Sequence, residues 1–337
     1  MGNIRFSVGS GVNESIFGAS QAPIRTMIER KAQAWENMSA LKHIYNFGPS
    51  RHFAEKVTSM TGTAGFQPVG EGGAYPVDNM QEGFSKTIQH ETWKDSMYIT
   101  REAVDDAKII DLKKRPASFV NGYYSARERF GAVMLAGSMG KTVQFRGRTF
   151  DTSSADGLPL FSKEHPSALK EKKSLKQSNL FAGPFSKDVL GSVETRMQNF
   201  VDDRGEPLTV APDTIIIEND AGLKNAVFEV IGADKDPSTS NNGFNYQYGR
   251  WTVIVWPYLN GLFRDYVSEG DKPFILLDSR YNETYEGADW LERVKLEVRS
   301  EISGNDDNVW KGYARFGVGF NDWRAFAIGG VTNGTSL

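Results

Sequence analysis

Residues 116–139 read PASFVNGYYSARERFGAVMLAGSM, and the fold turns on that stretch. Phe119, Tyr123, Ala126, Phe130, Val133 and Gly137 recur at alternating steps of four and three, which aligns them on one face of a helix. Asn121, Ser125, Arg127 and Glu128 fall on the opposite face. Pro116 suits the first helical turn, where its missing N–H costs nothing, and Gly140 suits a left-handed stop. The spacing predicts a helix of roughly 35 Å, as long as a small domain is wide. Such a helix needs a sheet to cover it.

That sheet is foreshadowed near the C-terminus. Val294, Leu296 and Val298 alternate with Arg293, Lys295, Glu297 and Arg299, and Ala314, Phe316, Val318 and Phe320 alternate with Arg315, Gly317 and Gly319. Gly304-Asn305-Asp306-Asp307 turns one run into the other, so the pair reads as a hairpin with one apolar face. Phe274 to Leu277 reads as a buried strand returning to the same region.

Between helix and hairpin lies a compact unit, residues 186–260. Ser186 caps a helix with Val189, Leu190, Val193, Met197, Phe200 and Val201 inward, and Gly205 with Pro207 stops it. The run Thr214 to Ile217, a helix carrying Leu223, Val227, Val230 and Ile231, and the run Trp251 to Trp256 follow as strand, helix and strand. That order predicts a small α/β layer. GADKDPSTSNNG, residues 232–243, is a polar loop.

Upstream, residues 1–22 are rich in Gly, Ser and Asn and read as an arm. Pro23 opens a helix that Gly48 and Pro49 end. The stretch 65–99, GFQPVGEGGAYPVDNMQEGFSKTIQHETWKDSMYI, alternates so that Ser85, Thr87, Gln89 and Glu91 oppose Phe84, Lys86, Ile88 and His90. Few of these residues could fill a core, so it reads as a polar two-stranded arm laid on another copy of the chain. Thr100 caps a short helix after it.

Composition bounds the chemistry. The 337 residues are 39% hydrophobic, 24% charged and 12% aromatic, as expected of a folded protein, and the formal net charge of −3 gives no global pull towards nucleic acid or an anionic membrane. With no cysteine and only four scattered histidines, thiolate sites are excluded and a histidine-built centre has little material. GSMGKT, residues 137–142, lacks the first glycine of a phosphate loop, with Leu135 in its place, and follows a helix instead of a strand. The acidic pairs Asp105–Asp106, Asp202–Asp203 and Asp306–Asp307 have no partner base. No catalytic residue, cofactor or metal site is expected. No signal peptide or membrane-length apolar run is seen, which predicts a chain made in a cytoplasm.

The order of these parts resembles the major capsid proteins of tailed bacteriophages, with the fold named after phage Hong Kong 97. The resemblance rests on EGGAYPVDNM and EGFSK leading to MYITREAVDD, on DGLPLFSKEHP (156–166), NNGFNYQYGRWTVIVWPYL (241–259), FILLDSRYNETYEGADW (274–290) and the closing FNDWRAF. It implies an α+β fold: an N-terminal arm and helix (1–48), a connection (49–65), an extended loop (66–99), a peripheral domain (100–185) with its spine helix at 116–139, an α/β axial domain (186–260), and peripheral return strands (261–337). The function implied is assembly of pentamers and hexamers into an icosahedral head around double-stranded DNA.

Under that resemblance Glu71, Tyr75, Phe84, Lys86, Ile88, Trp93 and Lys94 touch a neighbouring subunit, and Asp234, Lys235, Asp236, Asn241 and Asn242 meet other copies around the capsomer axis. Some members bond a loop lysine to a neighbour's asparagine with the help of a glutamate. Lys86 and Lys94 lie in the arm and Asn282, Asn305 and Asn321 in the receiving domain, and spacing alone picks no pair. The partners implied are further copies, a separate scaffolding protein (the arm before the first helix being short), portal and decoration proteins, and weakly held DNA. No membrane is involved. A nanocompartment shell around protein cargo is the alternative within the fold. From a different class, a carboxylate-dependent hydrolase using Trp251, Trp256 and Trp290 would need two carboxylates about 5 to 9 Å apart in a cleft.

Overall fold

The computed structural model describes residues 4–8, 18–60, 62, 65–77, 81–106, 109–233, 244–268 and 272–336. The N-terminal part holds β1 (Arg5–Val8), α1 (Gly18–Met38), α2 (Leu41–Ile44), β2 (Asn46–Pro49) and β3 (Ala54–Met60). Next come β4 (Glu82–Gln89), β5 (Glu91–Ile99), α3 (Arg101–Asp105) and the long α4 (Ile109–Gly137). Two short ribbons follow, β6 (Thr142–Phe145) with β7 (Arg148–Asp151), and β8 (His165–Pro166) with β9 (Lys176–Gln177). The α/β unit is α5 (Lys187–Gln198), β10 (Thr214–Ile217), α6 (Ala221–Ile231) and β11 (Thr252–Val255). The chain closes with β12 (Phe274–Leu277), α7 (Ser279–Thr284), β13 (Ala288–Ile302), β14 (Asn308–Phe320) and β15 (Phe326–Gly329).

The long helix begins at Ile109, two turns before the sequence places it, and at 29 residues it spans about 43 Å. Pro116 sits inside it and removes one hydrogen bond to the carbonyl of residue 112. The apolar period begins only at Phe119, so nothing in the pattern announced the earlier turns. On the inner face, Phe130 meets Trp93, Phe145, Phe150, Trp290 and Phe316 at ring-centroid distances of 4.9 to 6.0 Å. These offset and edge-on contacts are how aromatic rings pack favourably.

The opposite face departs from expectation, because Arg127 and Glu128 are buried rather than solvated. α1, α2 and β2 close over that side of the helix. Arg127 reaches Glu36 at 3.3 Å and Glu292 at 2.6 Å and lies 5.2 Å from the rings of Phe47 and Trp290. Burial opposes its charge, but Tyr123, Glu292 and Glu36 prevail and hold the guanidinium firmly protonated. Glu128 accepts hydrogen bonds from the Ser39 hydroxyl and the Trp256 indole, and burial pushes its carboxyl up.

The hairpin β13–β14 forms as expected, and Asp306 supplies the left-handed residue of its turn at φ 63°. It anchors a five-stranded sheet in the order β1-β13-β14-β5, with β2 also pairing β13. Gly48 and Pro49, which the sequence reads as the end of a helix, are strand residues beside Leu291 and Glu292. Arg5–Val8 lies parallel to Glu297–Ser300 of its own chain. The second sheet runs β11-β10-β12-β15. Its β10–α6–β11 unit is the expected α/β layer, capped by Asp220 on the Leu223 amide, but β12 and β15 complete it from the C-terminal part. Every residue of β10, β12 and β15 is buried, so both faces of these strands are covered by other parts of the chain, which no local pattern reveals.

Candidate assembly interface

The two-stranded arm is built by β3 and β4, with Ala54 opposite Gln89 and Met60 opposite Glu82. It leaves the body between Ser50 and His90. There the Ser50 hydroxyl donates to Glu55 at 2.8 Å and lies 2.7 Å from the His90 ring, while Glu55 also accepts from the Arg51 and His52 amides. The Ser50 bond and the Arg51 amide draw the Glu55 carboxyl down to about 2. Burial, then the Arg315 charge, pushes His90 below its ordinary value and disfavours a charged ring at this corner.

The strand alternation predicted for 84–90 is observed, but the inward face rests on its own chain. Ile88 and His90 lie over Gly319 and Gly317 of β14, where an added Cβ would collide with Ile88 and with the Gln89 carbonyl. The glycines of RFGVGF, read from sequence as an outward face of the hairpin, are thus the bare floor on which β4 is laid. Lys86 is buried, with its ammonium 2.7 Å from Asp151, 2.6 Å from the Ser153 carbonyl and 2.9 Å from the Ser153 hydroxyl. Burial raises the Asp151 carboxyl, but Lys86 and Ser153 outweigh it and hold it below the usual range.

The other end of the arm is different. All thirteen residues from Gly65 to Val77 are exposed, among them Phe66, Val69, Tyr75 and Val77, with Tyr75 at 95% of its full accessibility. Within this stretch the Gly73 amide donates to the Gly70 carbonyl in a turn, with Gly72 at φ 75°. Single exposed apolar residues are ordinary, but a run of them on a projecting ribbon marks a contact surface.

A family model described as phage capsid protein matches residues 83–329. The chain belongs to the phage capsid protein family. Among solved structures it resembles a chain of Mycobacterium phage Patience, at 12% identity over 92% of this chain and 87% of that one, with a TM-score of 0.51. It is also similar to a virus-like particle of Pyrococcus furiosus (9% identity, 91% and 98% covered, TM-score 0.48) and to the head of Helicobacter pylori bacteriophage KHP40 (12%, 85% and 87%, 0.45). At such identities the likeness speaks to the fold, which is the Hong Kong 97-like one. No curated protein matches the chain.

In this capsid protein the residues singled out from sequence separate into three groups. Glu71 and Tyr75 come together on the exposed tip. Phe84, Lys86 and Ile88 belong to the base of the arm and are covered wholly or partly by their own chain. Trp93 and Lys94 are not in the arm: β5 pairs with β14 along its whole length, Trp93 stacks on Phe316 at 4.9 Å, and Lys94 sits over the Tyr313 ring at 5.7 Å. The axis residues Asp234, Lys235, Asp236, Asn241 and Asn242 lie outside the described residues.

The pairing of lysine and asparagine is likewise narrowed. Lys86 is spoken for by Asp151 and Ser153, and Asn282 is buried, bonded to the Ile44 carbonyl and the Ala288 amide. Sequence reasoning missed the interior polar ties because no local pattern shows which charged side chains are buried together, whether 65 residues apart, as Lys86 and Asp151 are, or nine apart, as His165 and Asp156 are. His165 bonds Asp156 at 2.6 Å and stacks on Trp323 at 4.2 Å, so DGLPLFSKEHP and FNDWRAF meet in one buried clamp. Burial raises Asp156, but the His165 bond prevails and holds the carboxyl down. Among the described residues, no group of three or more acidic or histidine side chains could hold a metal ion, and no helix is long and apolar enough to cross a membrane.

Proposed function

We propose that copies of this capsid protein associate into pentamers and hexamers and close an icosahedral head around the double-stranded DNA of a tailed phage, in the cytoplasm of a bacterial host. The observation that carries this reading is the arm, anchored to its own body at 82–90 and wholly exposed at 65–77. An arm so built serves a neighbour. Glu71 and Tyr75 supply that contact, and the loop with Asp234, Lys235, Asp236, Asn241 and Asn242 meets other copies around the capsomer axis. The role is structural, with a separate scaffolding protein, a portal and decoration proteins as partners. A net charge of −3 suits a wall that holds DNA weakly and releases it.

Electron microscopy and light-scattering mass of the purified protein, alone and co-expressed with its genomic neighbours, test the reading. Closed particles, or free pentamers and hexamers, are expected. Particles filled with protein and no nucleic acid would move the reading to a cargo shell, and a monomer in every condition would overturn it.

A further inference from the structure

The exposed tip has a counterpart on the same molecule. Between the long helix and the large sheet lies a cavity of about 190 Å³, walled by Trp93, Phe119, Tyr123, Leu296 and Phe316. Gly122 opens it on the helix side, since a Cβ there would meet nothing within 4 Å. A dry cavity of roughly 150 Å³ accepts benzene, so this one has room for a single aromatic ring. Its rim carries the exposed Lys94, Asp95 and Arg146, two cations to one anion. The tip, residues 65–77, carries one charge, that of Glu71.

We propose that the Tyr75 ring of a second copy seats in this cavity, with Glu71 of the same arm against Lys94 and Arg146. This rests on the shell reading above and names the seat that the arm takes. Tyrosine fits such a place because its ring is apolar and its hydroxyl can stay at a charged, wet rim. Phe66 and Val77 are as exposed but have no polar tip to place there. Within one chain Tyr75 is free and the cavity is open, so the contact is between copies. A knob on one surface and a hole on another make a heterologous interface, which forms a ring where its rotation closes.

A photoreactive benzoyl-phenylalanine at position 75, in mixtures of isotopically distinct subunits, should give adducts between copies at residues 119–126, 296 or 312–316. Tyr75→Ala should reduce particles roughly tenfold or more at fixed subunit concentration, as loss of a buried aromatic anchor does, while Tyr75→Phe keeps most of them. Gly122→Phe fills the cavity from its own helix and should match Tyr75→Ala, with the subunit still folded by circular dichroism. Undiminished particles from both Tyr75→Ala and Gly122→Phe, or adducts confined to other surfaces of assembled particles, would overturn the seat and leave the shell reading intact. Failure of the wild-type chain to assemble in any condition would overturn both.

Discussion

The base and the tip of the arm are one ribbon with opposite surroundings. At the base, Lys86, Ile88 and His90 are buried against β14 and the β7 end, with an ion pair, hydrogen bonds and two glycines shaped to receive them. Fifteen residues away, the tip has no cover at all. The ribbon is thus fixed in direction by its own body and left open at its end. Binding by an element already held in place loses less conformational freedom than binding by a loose one.

Substitutions along the ribbon sharpen this contrast, and their effects on the isolated subunit should fall from base to tip. Gly319→Val places a branched side chain where Ile88 lies, and overpacking of this kind should cost about 3 kcal/mol or more, read as a lower urea midpoint. Ile88→Ala should cost about 2 to 4 kcal/mol by leaving a cavity over β14, checked in the same denaturation series. Equal stability of Ile88→Ala and wild type would mean that the base is not anchored as described.

The corner at Ser50 should show itself in acid. The folded Glu55 carboxyl titrates at about 2 against an ordinary 4.5. Its folded value lies below its unfolded one, so its contribution is complete above about 4.5 and is lost as pH falls towards 2. Ser50→Ala removes the largest cause and should move the Glu55 midpoint up towards its ordinary value in a carboxyl-carbon NMR titration. Asp289 bears the reverse sign. Burial, then Glu286, raises its carboxyl to about 7 from 3.8, so stability should decline as pH rises between these values. Asp289→Asn should flatten that decline in melting temperatures measured from pH 4 to 8.

At the tip the expected effect on the subunit is smallest. Phe66→Ser touches nothing in its own chain and should change folding stability by no more than about 0.5 kcal/mol. A larger loss in thermal melting of the unassembled subunit would mean that the tip is covered after all, and would erase the contrast.

Much of the architecture was legible because it repeats along the chain. The helical period from Phe119 to Gly137, the hairpin of 288–320, the Ser186 cap and the β10–α6–β11 unit each follow from residues close together in sequence. The same local view misplaced Arg127 and Glu128, because a charged residue on the polar side of a helix looks solvated until a second layer, here α1, α2 and β2, is known to cover it. It carried the arm too far, to Ile99, because the polar alternation of β4 continues through β5 while the hydrogen-bonding partner changes from β3 to β14. Of the candidate interface, the exposed Glu71 and Tyr75 could be picked out from a glycine-rich polar stretch; the occupied Lys86 could not, since its partners Asp151 and Ser153 lie 65 and 67 residues away.

Period, caps and turns are local, so the main helices, the hairpin and the order of the parts could be read along the chain, and the set of motifs pointed to the family. The folded chain was needed to show which sheet each C-terminal strand joins, which charges are buried, and where the arm stops being body and becomes reach. Those depend on pairs of surfaces brought together from distant parts of the chain, and a strand such as Phe274–Leu277, apolar at every position, carries no mark of the neighbours that bury it.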